Sequence, residues 1–241
     1  MASLLKRLNW SLPERLLDPD EEAAPVFIPW KLEVGRSLPR VVVPAGAERI
    51  AHFDLLARLA VAAEAHDLTT AKHLENIQRY ARILAAAMDC SDEFLRQMEF
   101  ASIMHDIGKI GVPKLLLTHS SSLDDEAWVV MRRHPIIGER LLSMPGMEMA
   151  REVARCHHER WDGRGYPDGL TGTDIPLCAR IVSVADVYDA LTSKRPYKHA
   201  WTSNEALSEI RVLAGSQFDP RVVEAFLDAV TADEQIEAEA S

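Results

Sequence analysis

Histidine and aspartate are the residue types in this sequence best suited to chemistry, and their placement points to metal binding. His105-Asp106 sits where an apolar helical stretch (Phe94, Leu95, Met98, Ala101, Met104) runs out into Ile107-Gly108-Lys109. His157-His158 occupies the corresponding place after Met147, Ala150, Val153 and Ala154. His134 precedes Pro135 between two helical segments, and His73 lies in the first turn of its own helix. Asp186 is embedded in Val182-Ser183-Val184-Ala185-Asp186-Val187. Burying a charged aspartate among Ala and Val is costly unless something positive meets it. A metal ion would satisfy Asp186 and would also account for adjacent histidines at a helix end. Imidazoles and carboxylates together suit iron, manganese or zinc rather than calcium or magnesium alone. Taken singly, each of these residues has an ordinary reading as a surface or core side chain; taken jointly, the set does not. His52, His66, His119 and His199 lack such a context and read as surface residues.

The elements that must position this set are helices. Leu74, Ile77, Ala81, Leu84 and Met88 fall at the three- and four-residue steps of one helix face. Ser91, followed by Asp92 and Glu93, reads as an N-cap with acids set against the helix dipole, opening a helix that runs to about His105. Further helices are expected near residues 124–133, 136–143, 147–158, 177–191, 203–213 and 220–231. Thr202 with Glu205 fits a capping box, and Asp219-Pro220 fits an N-cap followed by proline at the first helical position. Gly215 can end the preceding helix. The fold class is all-α, with glycine and proline concentrated in loops, above all 161–176. Residues 1–47 differ: Pro13, Pro25, Pro29, Pro39 and Pro44 punctuate them beside an acidic cluster at Asp18, Asp20, Glu21 and Glu22. They read as an irregular N-terminal extension with a short strand at Val41-Val42-Val43. A helical domain over residues 48–232 and an acidic tail over 233–241 complete the division.

Composition narrows the function classes. Hydrophobic residues make up 47% and charged residues 27% of 241, ordinary for a soluble globular protein with a self-supporting core. Cys90, Cys156 and Cys178 are scattered outside any C-x-x-C spacing, which argues against a disulfide framework and a cysteine zinc site and fits a reducing cytoplasm. The amino terminus lacks the apolar core of a signal peptide. The most apolar stretch, residues 55–65, is broken by Arg58 and Glu64 and is too short to span a bilayer. A net charge of −10 disfavours a DNA or RNA surface. An anionic substrate then needs local cations, of which bound metals are the strongest.

The segments His105-Asp106-Ile107-Gly108-Lys109, His134-Pro135, His157-His158-Glu159-Arg160-Trp161-Asp162-Gly163-Arg164-Gly165-Tyr166-Pro167, Ala185-Asp186-Val187-Tyr188-Asp189 with Arg195 and Lys198, and Gln217-Phe218-Asp219-Pro220 together resemble the HD-GYP family. The resemblance covers roughly residues 55–230. It implies an HD-domain helical bundle whose bacterial members are typically phosphodiesterases for cyclic di-GMP, some preferring related cyclic dinucleotides. It also implies roles. His73, His105, Asp106 and Asp186 would hold one metal, and Asp106 would bridge to a second held by His134, His157 and His158. Lys109 would touch a phosphate oxygen, Arg195 and Lys198 would hold the phosphates, and Gly165, Tyr166 and Pro167 would shape the substrate-side loop. The cofactor would be two divalent ions per chain, iron or manganese foremost and zinc as an alternative. Such a pair lowers the pKa of a bridging water and neutralises phosphoryl oxygens, answering the repulsion between a phosphodiester anion and hydroxide.

Two positions depart from the family pattern. Members with a third metal carry a Glu four residues before the first ligand histidine, where this chain has Thr69. The Thr118–Ser122 loop replaces the usual proline-glycine-lysine turn. Two other functions compete: a broader nucleotide phosphohydrolase, and a regulatory module that binds a cyclic dinucleotide or docks a diguanylate cyclase. Every ligand position is filled, which speaks against a module without catalysis. Regulation would come through the extension, a homodimer, or a sensory or cyclase partner.

Overall fold

The computed structural model describes residues 47–64, 70–117, 124–193 and 200–239. The expected strand at 41–43, Thr69, the 118–122 loop, Arg195, Lys198, His66, His119 and His199 lie outside the described residues, as does the side chain of His52.

Ten α-helices are present among the described residues. They are α1 (Ala47–Glu64), α2 (Thr70–Ala87), α3 (Asp92–Ile103), α4 (Lys114–Leu117) and α5 (Asp125–Met131), followed by α6 (His134–Leu141), α7 (Glu148–Cys156), α8 (Leu177–Thr192), α9 (Ser203–Val212) and α10 (Pro220–Glu239). Short 3-10 turns occupy Ile107–Gly111 and Gly172–Asp174, and the described residues contain no strand beyond isolated bridges at Asp162–Thr171 and Ala214–Phe218. The all-α expectation holds. Among the described residues, no helix is long and apolar enough to cross a membrane.

Local chemistry sets the helix ends. Ser91 accepts the Phe94 N–H at 3.3 Å, and Asp124 accepts that of Ala127 at 3.0 Å. Thr202 and Glu205 form the reciprocal capping box. Asp219 accepts the Arg221 N–H at 2.9 Å at the start of α10. Several helix ends fall within two residues of the sequence expectation, and two differences have a clear physical reason. Helix α6 opens at His134 rather than 136, because proline is tolerated in a first helical turn, where its missing N–H costs nothing. Helix α10 runs on to Glu239 rather than ending near 231; its apolar pattern thins there, but Ala, Glu and Gln are good helix formers.

Helix α8 is the axis of the core. Ile181, Val182, Val184, Ala185 and Tyr188 are all buried, and α2, α7, α9 and α10 pack around it. Tyr80 on α2, Tyr188 on α8 and Phe226 on α10 meet edge to face, with centroids 5.0, 5.1 and 6.2 Å apart. Such aromatic pairs contribute about 0.5–1.5 kcal/mol each beyond the area they bury. Arg180, near the start of α8, reaches Asp219 at 2.5 Å and the Ile175 carbonyl at 2.8 Å, tying α8 to the start of α10.

One close approach positions the site directly. The 3-10 turn after Asp106 presses against α6 so tightly that a Cβ on Gly108 would stand 1.9 Å from the His134 carbonyl oxygen and 2.6 Å from the Gly138 nitrogen. Both obstacles are backbone, so neither can swing aside. Gly108→Ala should therefore cost about 1–3 kcal/mol through forced backbone separation. Urea unfolding measures this, and an unchanged midpoint would show that the turn and α6 are not tightly apposed.

Candidate metal centre

Five helices deliver the site. His73 comes from the first turn of α2, His105 and Asp106 follow the end of α3, and His134 opens α6 just beyond α5. His157 and His158 follow α7, and Asp186 lies on α8. Carbonyls in the last turn of a helix lack intrahelical partners, and three of the histidines use them. His105 Nδ1 lies 2.8 Å from the Ser102 carbonyl, and His134 Nδ1 lies 2.8 Å from that of Met131. His157 Nδ1 is shared between the Val153 and Ala154 carbonyls at 3.0 and 3.1 Å. A carbonyl only accepts, so each Nδ1 donates, and each neutral ring then turns its Nε2 lone pair inward. His73 is fixed by a carboxylate instead: its Nδ1 is 2.6 Å from Asp189, which is buried and also accepts from Asn76 at 2.6 Å and Ser193 at 3.0 Å.

These Nε2 atoms converge on carboxylate oxygens. Asp106 Oδ1 is 3.1 Å from His134 Nε2 and 3.6 Å from His157 Nε2, while Oδ2 is 3.3 Å from His105 Nε2 and 2.5 Å from the Lys109 ammonium. His134 and His157 bring their Nε2 atoms to 3.4 Å of each other, and His73 Nε2 stands 3.8 Å from Asp186. Asp106 Oδ1 is fully buried and makes no hydrogen bond. Lone pairs facing carboxylate oxygens in a buried site repel unless a cation lies among them. Two sets could hold one: Asp106, His134, His157 and His158, and His73, His105 and Asp186, with ligand atoms inside each set within 4.8 Å of one another. The donor set thus fits divalent metal binding on this chain's own geometry.

Protonation favours the same state. Burial alone would raise the Asp106 pKa, but the Lys109 ammonium beside it holds it well below the ordinary carboxylate range. Burial pushes His157 down, and His158 goes well down through burial and its neighbours His157 and His134. Both rings therefore stay neutral, as ligands must.

The loop after His158 closes one side. The Tyr166 ring stacks on His158 with centroids 4.7 Å apart at 25°. Glu159, 3% exposed, accepts the backbone N–H groups of Asp168, Gly169 and Leu170 at 2.7, 3.1 and 3.1 Å. A Cβ on Gly165 would stand 2.4 Å from the Arg160 nitrogen, so only glycine fits. The Tyr166-Pro167 peptide is cis. Arg155 binds Asp168 on this loop and Glu139 on α6.

All seven histidine and aspartate residues singled out from the sequence are thus brought together, and Gly165, Tyr166 and Pro167 lie beside them. Lys109 lies on Asp106. Asp186 is only half-buried, so the burial cost argued from its apolar neighbours falls instead on Asp106 and Asp189. The contact of Asp189 with His73 and the loop anchors Glu159 and Arg155 carry no expectation from sequence. The spacing of Asp189, three residues after Asp186 on one helix face, is the signal that could have found it.

A histidine kept neutral in the fold but free to protonate when unfolded gives the unfolded chain the greater proton uptake below its ordinary pKa of about 6.5. Stability of the metal-stripped chain should therefore fall as pH drops through that value, with the depressed Asp106 adding its loss only at stronger acidity. Urea midpoints measured after chelation at about pH 7.5 and about pH 5.5 check this; an equal or higher midpoint at the lower pH would contradict the neutral-histidine site.

The HD domain family model matches residues 55–222. The chain is 45% identical over 186 residues to the cyclic di-GMP phosphodiesterase response regulator RpfG of Xanthomonas campestris pv. campestris, covering 76% of this chain and 49% of that protein. It is 42% identical over 178 residues to a cyclic di-GMP phosphodiesterase of Thermotoga maritima, covering 73% and 48%. The chain thus spans about half the length of these relatives. The crystal structure of a cyclic GMP-AMP specific phosphodiesterase of V. cholerae superposes with a TM-score of 0.56 at 20% identity over 74% of this chain and 48% of that one, a likeness of fold. With the motifs around His105, His157 and Gly165 in place, the chain belongs to the HD domain family, in its HD-GYP branch.

Proposed function

We propose that this chain hydrolyses cyclic di-GMP, or a related cyclic dinucleotide, at a centre of two divalent ions. His73, His105, Asp106 and Asp186 would hold one ion, and Asp106, His134, His157 and His158 the other. The observation that carries this reading is Asp106: its two buried oxygens face different histidines, Oδ1 toward His134 and His157 and Oδ2 toward His105. Iron or manganese suits the imidazole and carboxylate donors, with zinc as an alternative. Relatives named as cyclic di-GMP phosphodiesterases at 45% and 42% identity support the substrate class. Three free cysteines fit work in the reducing cytoplasm.

The ions, when bound, would supply an activated water and positive charge at the phosphoryl oxygens. The chain's own residues do the rest. The Nδ1 contacts hold four imidazoles in one tautomer and orientation, so the site is organised before substrate arrives. Lys109, paired with Asp106, keeps a fixed positive charge at the edge of the centre, within reach of a phosphate oxygen. Arg195 would grip a phosphate through paired N–H groups, and Lys198 would add a point charge. Tyr166 covers His158 and shields that side from water, on a loop shaped by Gly165 and Pro167.

Asp106→Ala should abolish turnover of cyclic di-GMP and lower both metal content and melting temperature, since metal binding to the native state is linked to folding. Elemental analysis, thermal melting and turnover should be read together, with two ions per wild-type chain expected; full activity with unchanged metal content in the variant would refute the assignment. Arg195→Ala should leave the metals in place yet lower kcat/KM about ten- to hundredfold, the equivalent of about 1.5–3 kcal/mol for a charge-assisted contact. Wild-type kinetics in that variant would make Arg195 a surface residue only.

A further inference from the structure

We propose that Arg132, together with Trp128, forms a guanine-recognising subsite beside the metal centre, an inference that rests on the cyclic-dinucleotide reading and adds a basis for its base preference. Arg132 caps the C-terminal end of α5, two residues before His134, and Trp128 lies one turn earlier on the same face. The Arg132 guanidinium carbon stands 5.8 Å from the centroid of the Trp128 ring and 5.2 Å from that of Tyr166. Tyr166 in turn stacks on His158. A continuous run of flat groups therefore leads outward from a candidate metal ligand: His158, Tyr166, Arg132, Trp128.

Several arginines around the loop are ion-paired. Arg155 is paired with Asp168 and Glu139, Arg160 with Asp162, and Arg180 with Asp219. The Arg132 side chain is exposed, and among the described residues it makes no hydrogen bond or ion pair, only the two ring contacts. Ring contacts engage the faces of a guanidinium and leave its in-plane N–H donors for a ligand.

The chemistry of that edge selects a partner. A guanidinium has five donors and no acceptor. Guanine presents two adjacent acceptors, O6 and N7, which a guanidinium meets with two parallel bonds. Adenine presents the N7 acceptor beside the N6 donor, so the same approach loses one bond and sets donor against donor. Trp128, 43% exposed, offers an indole face on which a purine can stack. A scissile phosphate would have to lie at the Asp106 cluster. Arg132 is separated from His158 by the Tyr166 ring, so it meets the part of a substrate that projects away from the reacting phosphorus, which is where a base lies.

The test compares wild type, Arg132→Gln and Trp128→Ala, each as the full metal-loaded chain, on cyclic di-GMP and cyclic di-AMP. Glutamine pairs with the adenine edge rather than the guanine edge. Arg132→Gln should therefore lower kcat/KM for cyclic di-GMP about ten- to hundredfold, mainly through KM, and leave cyclic di-AMP unchanged or improved. Trp128→Ala should weaken both substrates alike. An equal loss on both dinucleotides in Arg132→Gln would mark a phosphate contact and overturn the proposal, as would no change on either. If wild type turns over neither dinucleotide, the phosphodiesterase reading fails, and equilibrium binding of GMP against AMP decides the subsite by itself. GMP binding stronger than AMP binding in wild type, and weakened about ten- to hundredfold only for GMP in Arg132→Gln, supports it; equal binding of the two nucleotides to wild type overturns it.

Discussion

A buried carboxylate surrounded by the unprotonated nitrogens of buried imidazoles is electrostatically unfavourable by itself, and Asp106 is such a group. Each histidine facing it has spent its one N–H on a helix-end carbonyl, so none donates toward the carboxylate while neutral, and burial disfavours charging His157. Lys109 offsets part of the charge from one side. Divalent cations would offset the remainder, and much of the fold follows from holding this arrangement together. The last turns of α3, α5 and α7 supply the carbonyls. The collapse of the Gly108 turn onto α6 sets the distance between Asp106 and His134. Helix α8, buried along most of its length, carries Asp186 toward His73 and Asp189 behind it.

The division of labour between elements follows the same logic. Side chains that must converge within a few ångströms sit at helix ends or on the central helix, where backbone hydrogen bonds and close packing leave little freedom. The side chains farther from Asp106, Tyr166 beside His158 and then Arg132 and Trp128, sit on a loop and at the end of a short helix. That loop is nonetheless tied down. Glu159 gathers three consecutive backbone N–H groups beneath it, and Arg155 links it to α6. Burial alone would raise the Glu159 pKa, and the N–H bonds work in the other direction. A loop without such anchors would let Tyr166 leave His158 and admit water to that ring.

How far the site could be read from sequence depended on whether the deciding interaction was local. Metal-binding side chains are legible because few other demands place two histidines, or a histidine and an aspartate, side by side at the end of an apolar helix. Caps are legible for the same reason: Ser91, Thr202 and Asp219 act on backbone two or three residues away. Asp189 is different. Its partner His73 lies 116 residues earlier, and the bond depends on how α8 is rotated against α2. Glu159 likewise owes its role to a loop that folds back across about ten residues. Periodicity also misplaced the start of α6, since Pro135 looks like a boundary in sequence yet sits inside the first turn.

The charge balance of the whole chain resolves in the same local terms. A net charge of −10 repels an anionic dinucleotide at long range, but salt screens that repulsion beyond roughly 10 Å at 0.1 M ionic strength. Within that radius the ligand would meet a different population. Glu139, Asp162, Asp168 and Asp219 are each bound to an arginine. Asp106 faces Lys109 and the histidines, and Asp189 is enclosed by His73, Asn76 and Ser193. Many acids near the site are therefore already engaged by neighbouring cations or donors, with Arg155 shared between Glu139 and Asp168, while Arg132 has aromatic neighbours. An acidic protein can accept an acidic ligand on these terms: acids beside the centre are engaged by neighbouring donors, and Lys109 and Arg132, together with any metal held at Asp106, supply positive charge there.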